Sequence, residues 1–472
     1  MHLPPQDTVP VASLADGSAT FFDGGPLGEV DVLLGGAPGF RDGGAVYAKF
    51  RGALYLASDY RDQDSVYVSD ANNSCIRRVR FRRRQDCGRG PSHAAAPWPE
   101  LRGRRRYYTV EYADAETLAG RCGPTADAPP APAGSARRLG VPAGLVVHDG
   151  ALYVADAGDH VIRRVALPPP PPPPAPPPPA PGSRCKPPPP LPPAAPPSPP
   201  PPPDDALAAP VVAGVAGVAG SSDGDGDARR ATFRAPLGVA MAAGGVLYVA
   251  DTGNHCVRSL RLGDDSAQAG GGGTTTVVGR CGEPGSDGGL LREPSAVLWD
   301  DSRDELLIAD SGNGCVRALH RGNLTTVFGR CGGGNASALR RPVALALDVW
   351  ATDLPTAARR EAVGQRSADW ALFISDGGRI VRVDAGGGAA VVAASEWGRY
   401  RAPSRAAHAR ASLAAPLGLV ARSAPPDALP SGRRAQGDAT LLVGDGSELK
   451  TVSWGRVFVP KVFGEQGALL PS

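Results

Sequence analysis

The chain has 472 residues, with 50 lysine and arginine residues against 47 aspartate and glutamate residues, which gives a net charge of +3. A charge so close to neutral gives no reason to expect a nucleic-acid partner, and no apolar run reaches the roughly 18 residues that indicate a membrane span. Glycine (62) and proline (51) are abundant, but 25 of the prolines lie within 168–203. We therefore expect a folded protein with one proline-rich insertion.

One sequence unit recurs six times along the chain. An apolar run ends in aspartate, a short polar turn follows and a second β-type run begins; the clearest copy is APLGVAMAAGGVLYVADTGNHCVRSL at 235–260. The aligned aspartates are Asp70, Asp156, Asp251, Asp310, Asp376 and Asp445. Each unit reads as four strands, named a to d, and strand b carries β-branched and aromatic residues at alternate positions. The pattern predicts an all-β, six-bladed β-propeller with a polyproline loop insertion.

The turn D-[TSA]-G-[ND]-H-x-[IV]-R, followed by a TxxGxxG strand and an Asp-Gly linker, resembles the NHL-repeat β-propeller family. The resemblance covers roughly 28–467 outside the insertions, and residues 1–27 and 468–472 are expected to be tails. It implies a ring that usually has six blades. Such propellers serve as protein-binding or RNA-binding surfaces and as extracellular scaffolds, and a minority resemble lyases or hydrolases with a metal in the central channel.

The two ends of the chain decide the number of blades. The run GEVDVLLGGAPGFRDGG near the start has the pattern of a strand d with its linker, and RVFVPKVFGEQG near the end is a second candidate for the last strand d. If the first run pairs with the last blade, a six-bladed ring closes by exchange of chain ends. Otherwise a degenerate seventh blade would form.

Six of the eight cysteines occupy equivalent positions. One of each pair opens strand c and the other follows strand d, and both are present in units one, three and four and absent from the others. Because strands c and d form a hairpin, the two thiols should lie opposite each other. We predict the disulfides Cys75–Cys122, Cys256–Cys281 and Cys315–Cys331, and no zinc site because no C-x₂-C pair occurs. Cys87 and Cys185, in insertions of neighbouring units, are a candidate fourth pair.

Disulfides imply an oxidising compartment. Three N-x-[ST] sequons, at Asn72, Asn323 and Asn335, are compatible with glycosylation there. The first residues lack the basic and apolar regions of a signal peptide, so either the natural N-terminus differs or the thiols stay reduced. We favour the first alternative and expect an extracellular or cell-wall location.

Most long insertions lie on one face of the predicted disc, which we call the insertion face. It carries the a–b and c–d turns, which include the arginine-rich stretch 80–106 and the proline tract 168–203 within blade two. The proline tract should form a polyproline II arm, and it resembles the hydroxyproline-rich shafts of algal and plant cell-wall glycoproteins. The alternatives are a docking track for proline-binding modules and a tolerated low-complexity expansion.

The arginine-rich stretch is a candidate polyanion site. Phe81, Tyr107 and Tyr108 are interleaved with its arginines, a pattern suited to RNA or a polyanionic sugar. The residues that would carry such binding are Arg82, Arg83, Arg84, Arg104, Arg105 and Arg106. A solvated hairpin in an arginine-rich chain is the alternative that we favour.

The six repeated aspartates are interpreted as structural turn residues. We expect each carboxylate to accept backbone N–H bonds within its own turn, and the strand-c arginines to have a repeated structural role. His160 and His255 occupy the family's histidine position and should pack between blades. Since no G-x-S-x-G, H-E-x-x-H or P-loop motif occurs, no catalytic residue, metal ligand or cofactor is predicted.

Three functional hypotheses follow. The first is a monomeric, non-enzymatic extracellular scaffold that presents the propeller and a polyproline spacer to a protein or a cell-wall glycan. The second is a metal-dependent lactonase-like or lyase-like enzyme. The third is an intracellular propeller that binds RNA or protein and keeps its cysteines reduced.

Overall fold

The computed structural model describes the repeated core of the chain. The described residues are 10–12, 19–21, 29–44, 47–52, 54–59, 62–88, 106–120, 122, 139–168, 208–262, 272–332, 339–347, 370–384, 387–394, 413–423 and 439–454. Of the predicted proline-rich arm, only Pro168 belongs to this set, and the rest of the tract lies outside the described residues.

The described strands form a short N-terminal hairpin and six blades. The first three strands are β1 (Pro10–Ala12), β2 (Ala19–Phe21) and β3 (Glu29–Gly35). Blade one contains β4 (Gly43–Gly44), β5 (Leu54–Asp59), β6 (Asp62–Asp70), β7 (Cys75–Gly88) and β8 (Arg106–Gly120). Blade two contains β9 (Pro142–His148), β10 (Ala151–Asp156), β11 (Val161–Ala166) and β12 (Val211–Ala213). Blade three contains β13 (Val239–Ala242), β14 (Val246–Asp251), β15 (Cys256–Arg261) and β16 (Thr274–Val278).

The remaining blades repeat the same antiparallel order. Blade four contains β17 (Pro294–Asp300), β18 (Glu305–Asp310), β19 (Cys315–His320) and β20 (Asn323–Gly329). Blade five contains β21 (Pro342–Leu347), β22 (Ala371–Asp376), β23 (Arg379–Asp384) and β24 (Ala389–Ala394). Blade six contains β25 (Pro416–Ser423), β26 (Ala439–Asp445) and β27 (Glu448–Trp454). Short 3-10 turns span Ala71–Asn73, Gly224–Gly226, Ala228–Arg230, Thr252–Asn254 and Ser311–Asn313.

The ring closes through the N-terminal part of the chain. Strand β3 pairs antiparallel with β27, with Val30 opposite Val452 and Leu34 opposite Leu449, and so supplies the fourth strand of blade six. This pairing confirms the predicted six-bladed ring and excludes the seven-bladed alternative. The other candidate for this strand, within 456–467, lies outside the described residues.

Burial along each blade follows from strand position. Strand b is covered by neighbouring blades on both faces, so Ala151–Asp156 and Ala371–Asp376 are buried at every position and read as continuous apolar runs. Strand d lies at the outer rim, and Asn323–Gly329 is exposed at several positions. Within the described residues, no helix has the length and apolar character that a membrane crossing requires.

Between successive blades the described residues form six apolar clusters. The cluster that joins blade six to blade one contains Leu34 and Leu449 from the last blade and Phe50 and Leu54 from the first. A cluster at this position requires a closed ring, so ring closure buries apolar surface that an open arc of blades would expose.

Ring closure predicts unequal effects of two substitutions in β3. Leu34 is fully buried whereas Val32 is 46% exposed. Leu34→Ala should therefore lower the free energy of unfolding by about 2–5 kcal/mol, and Val32→Ala by less than about 1 kcal/mol. Guanidinium unfolding of both variants measures the difference. Equal, small effects would show that β3 does not complete blade six in solution.

Candidate functional site

The innermost strand of every blade faces a central channel. These strands are β5, β9, β13, β17, β21 and β25, and each is the last strand of its sheet. One backbone edge of each strand therefore has no neighbouring strand and faces the channel. Together the six strands line a cavity of about 290 Å³, which is at the small end of ligand-binding cavities.

Small residues allow the inner strands to approach closely. In five blades the third residue of a Pro-x-Gly or Pro-x-Ala phrase lies at the same level of the channel: Gly144, Gly238, Ala296, Ala344 and Gly418. The Gly144 N–H donates to the carbonyl of Leu237 in the next blade over 2.8 Å. A Cβ on Gly238 would lie 2.7 Å from the Cα of Ala296. A larger side chain at this level would push neighbouring blades apart.

Blade one departs from this phrase and places a tyrosine at the channel. In blades two, four, five and six, the pairing between strands a and b shifts register near the start of strand a. In blade one, the start of β5 pairs with β6 without such a shift. Tyr55 lines the cavity, and burial raises the pKa of its hydroxyl above the usual 10.0. Its hydroxyl is therefore protonated near neutral pH and can donate a hydrogen bond.

The chemistry of the lining is uncharged. Within the described residues, no aspartate, glutamate, histidine, lysine or arginine lines the cavity. The polar residues there are Tyr55, Ser58, Ser295 and Trp299, and half-buried Met241, Leu298 and Leu347 are apolar. The buried hydroxyl of Ser295 is already bonded to Ser311 and to the carbonyl of Pro342. Such a lining offers hydroxyl groups, backbone edges and apolar contacts, and no carboxylate or imidazole for acid–base chemistry or metal binding.

An aromatic pair stands at the cavity mouth on the insertion face. Trp299, near the end of β17, lines the cavity and stacks on Tyr248 of the preceding blade, with ring centroids 5.7 Å apart and an interplanar angle of 12°. Its Nε1 donates to Oδ1 of the exposed Asp301 over 3.0 Å. We call Tyr248, Trp299 and Asp301 the aromatic rim. The stacking and the hydrogen bond fix the indole in one orientation.

A second tryptophan, beside the rim, has a structural role. Trp370 Nε1 donates over 2.8 Å to Oδ2 of Asp300, which is only 3% exposed. The guanidinium carbon of Arg303 lies 3.9 Å from the centroid of the Trp370 ring. Trp370 does not line the cavity, so these contacts join blades four and five.

The repeated aspartates hold the blades in register. Asp251 is fully buried and accepts from the backbone N–H of Arg234 (2.8 Å), Nδ2 of Asn254 (2.8 Å) and the guanidinium of Arg258 (3.4 Å). The pKa of Asp251 is raised, because the effect of burial outweighs that of these donors, which lower it. Equivalent cation pairs are Asp70–Arg77, Asp156–Arg163, Asp310–Arg317, Asp376–Arg379 and Asp445–Lys450.

The donors to these carboxylates correct one sequence expectation. We expected each aspartate to accept N–H bonds from its own turn, and Asp156 does so from Asp159 over 3.3 Å. The main backbone donors, however, lie in the linker before strand a; Arg340 N–H, for example, donates to Asp376 across 36 positions of sequence. The reason is that the turn is already satisfied internally. In blade three, His255 N–H donates to the carbonyl of Thr252.

Buried hydroxyl groups fasten the inner strands, and the sequence analysis missed them. Ser69 donates to the carbonyl of Ala143 (2.5 Å), and Ser375 donates to that of Pro416 (2.5 Å), in each case in the next blade. Thr252 makes the same bond to Pro294. A serine or threonine beside the repeated aspartate is the sequence signal that could have revealed this bond.

His160 and His255 bridge neighbouring blades. Nδ1 of His160 accepts from the N–H of Ala235, and Nδ1 of His255 accepts from that of Glu293, each over 3.1 Å. Both acceptors point into the linker of the following blade and away from the channel strands. The geometry gives these imidazoles a packing role and no ligand role.

The three disulfides that join strands c and d are present. They are Cys75–Cys122, Cys256–Cys281 and Cys315–Cys331, each with a Cα–Cα distance of 5.1 Å. The paired cysteines are not directly opposite, since Cys315 faces Gly329 and bonds to the cysteine two residues later. Gly329 has φ +86°, and a Cβ there would lie 2.8 Å from the carbonyl oxygen of Gly314. Glycine is required because the chain turns back against strand c at this point.

Two clusters, each of one aspartate and two cysteines, do not form metal sites while their cysteines are in disulfides. Asp251 lies near Cys256 and Cys281, and Asp310 lies near Cys315 and Cys331, with the ligand atoms of each group within 4.8 Å of one another. All four cysteines are in disulfides. A disulfide sulfur is not the thiolate that metals bind.

One family model matches part of the chain. The model of the NHL repeat matches residues 233–258, which span the b–c turn and the Asp251–Arg258 pair of blade three. The chain carries an NHL repeat. In the other five blades the equivalent aspartate also pairs with a cation of strand c, namely Arg77, Arg163, Arg317, Arg379 or Lys450. No curated protein matches the chain.

Among solved structures, the chain is similar to an auxiliary nutrient binding protein from Bacteroides thetaiotaomicron, with 11% identity, coverage of 93% of this chain and 81% of that chain, and a TM-score of 0.49. It is also similar to virginiamycin B lyase from Staphylococcus aureus, with 12% identity, 86% and 95% coverage and a TM-score of 0.37. At such values, no conclusion about activity or ligand follows.

The remaining predicted site residues fall partly outside the described residues. Asn72 and Asn323 are exposed, at a b–c turn and a c–d turn respectively, and Asn335 lies outside the described residues. Arg82, Arg83 and Arg84 fall within β7, and Arg106 begins β8; Arg104 and Arg105 lie outside the described residues. Cys87 pairs in register with Tyr107, whereas Cys185 is not described, so the fourth disulfide and the polyanion site stay predictions.

The aspartate–cation pair of blade three predicts a large cost for losing its arginine. Arg258→Met leaves the buried carboxylate of Asp251 without its cation and should lower the free energy of unfolding by about 3–5 kcal/mol. The control Arg280→Met breaks the exposed pair with Glu283, in which Arg280 is 76% exposed, and should cost at most about 1 kcal/mol. Urea unfolding measures both. Similar losses of unfolding free energy in the two variants would show that the buried pair contributes no more to stability than the exposed one.

Proposed function

We propose that this NHL propeller is a non-enzymatic extracellular binding scaffold. Its insertion face and central cavity would contact a protein or a glycan, and the proline tract between β11 and β12 would act as a spacer arm. The observation that carries the proposal is the uncharged lining of the cavity among the described residues. A propeller that uses its channel for recognition needs shape and hydrogen-bonding groups there, without ionisable side chains.

The same observation counts against channel chemistry of the lyase or lactonase type. Hydrolysis and elimination need a general base, a general acid or a metal that activates water. His148 ends β9, but it pairs with Asp149 over 3.2 Å and does not line the cavity. The hydroxyl groups of Ser58 and Ser295 have no histidine or carboxylate partner among the lining residues, so neither is activated as a nucleophile.

The three disulfides support the extracellular part of the proposal. Each disulfide cross-links the outer hairpin of a blade, formed by strands c and d, and such bonds persist in oxidising compartments. The exposed asparagines of two sequons, Asn72 and Asn323, are accessible to a glycan. Blades one, three and four carry the disulfides, and blades one and four also carry these two sequons. We propose that the propeller acts outside the cell as a monomer.

Free-thiol titration tests the compartment. Eight cysteines are present and six are paired, which leaves Cys87 and Cys185. Protein freshly isolated from its native source and denatured under a thiol-blocking protocol should therefore show no more than two free thiols. Eight free thiols would overturn the extracellular proposal and favour the intracellular one.

Metal analysis tests the absence of channel chemistry. Purified full-length protein, dialysed against metal-free buffer, should hold far less than one equivalent of zinc, calcium, manganese or iron by mass spectrometry. A tightly bound stoichiometric ion whose removal abolishes turnover of a lactone substrate would contradict the scaffold proposal. The matched control is the Arg280→Met variant, which alters only an exposed surface residue.

A further inference from the structure

We propose that the central cavity and the aromatic rim form a binding subsite for a neutral saccharide, a short segment of a glycan chain that enters from the insertion face. This inference rests on the proposed function, since it names the ligand class and the place where the scaffold would bind it. It is carried by three observations: the free strand edges, the uncharged lining and the orientation of Trp299.

The strand edges require a ligand that forms hydrogen bonds. Each inner strand ends its sheet, so its outer backbone edge faces the cavity, apart from groups that are bonded to a neighbouring blade, such as the N–H of Gly144 and the carbonyl of Pro416. Buried polar groups need partners, and a wholly apolar ligand would displace water from these edges without replacing its hydrogen bonds. The protonated hydroxyl of Tyr55 adds a further donor. The ligand must therefore carry several hydroxyl or amide groups.

The lining also requires apolar surface on the same ligand. Half-buried Met241, Leu298 and Leu347 line the cavity beside the indole of Trp299. A pyranose ring satisfies both demands, because its hydroxyl groups lie around the ring edge and its C–H groups form apolar faces. A volume of about 290 Å³ suits a short saccharide segment better than a folded peptide.

The absence of charge in the described lining selects a neutral sugar. A uronate or a sulfated sugar would lose hydration in the cavity with no arginine or lysine among the lining residues to compensate it, and an unpaired buried charge is strongly unfavourable. The arginine-rich strand β7 and its partner β8 belong to the outer part of blade one and do not line the cavity.

The aromatic rim supplies a stacking surface at the mouth. Trp299 is held by stacking on Tyr248 and by the hydrogen bond from its Nε1 to Asp301. Because the indole is fixed before binding, little side-chain entropy is lost when a sugar face stacks on it. The exposed carboxylate of Asp301, beside the indole, can accept hydrogen bonds from sugar hydroxyl groups.

The test is calorimetric titration of full-length protein with four defined tetrasaccharides. Three are neutral (cellotetraose, xylotetraose and mannotetraose) and one is acidic (tetragalacturonic acid). At least one neutral probe should bind, and the acidic probe should bind at least about tenfold more weakly than it. Failure of all three neutral probes to bind, or equal binding of the acidic probe, overturns the inference.

Matched tryptophan variants locate the site. Trp299→Leu should weaken the neutral probe by at least about tenfold and abolish the change in tryptophan fluorescence on binding. Trp370→Leu, an identical substitution outside the cavity lining, should leave both readouts unchanged. If Trp299→Leu does not fold, Tyr55→Phe is the second variant, and it should weaken binding severalfold by removing one hydroxyl. Unchanged binding in Trp299→Leu, or in Tyr55→Phe if that variant replaces it, overturns the inference.

Product analysis separates this inference from the proposed function. The same mixtures are analysed by mass spectrometry after prolonged incubation. Intact probe with binding that depends on Trp299 supports both. Cleaved probe contradicts the non-enzymatic scaffold, and in that case binding that depends on Trp299 still supports the saccharide subsite. Intact probe without neutral binding overturns the subsite alone.

Discussion

The buried aspartate–cation pair is the interaction on which the architecture depends. In each blade an aspartate at the end of strand b meets a cation on strand c, and the same carboxylate holds the linker that leads into strand a, as Asp251 holds Arg258 and the backbone of Arg234. A buried charge without a partner is strongly destabilising. The pair therefore fixes strands b and c and the linker together, and through them the position of the inner strand.

The central cavity follows from this constraint. Once the linkers are held, hydroxyl bonds such as Ser375 to Pro416 fix four of the inner strands, β9, β17, β21 and β25, against the blade before them. Small residues such as Gly238 let the strands approach to backbone contact. Six apolar clusters then fill the spaces between blades. Charged groups are used in the linker network and at the surface, which leaves an uncharged lining at the axis.

Much of the fold could be predicted from the sequence because it repeats. Recurrent aspartates indicated six blades, and the joint presence of two cysteines indicated three disulfides. The donors to the aspartates were not predictable, because the 3-10 hydrogen bond from His255 to Thr252 that occupies the turn is not visible in a residue pattern. The aromatic rim was missed for a similar reason. Tyr248 and Trp299 belong to different blades and meet only when the ring is assembled.

A crystal structure of the full-length protein with a neutral tetrasaccharide tests the central claim, that the channel is an uncharged recognition site. The account predicts an intact sugar ring stacked on Trp299 at the mouth of the cavity, with its hydroxyl groups bonded to the edges of the inner strands and to Tyr55. A saccharide bound elsewhere with the cavity holding water alone, or a metal ion coordinated in the channel, would contradict it.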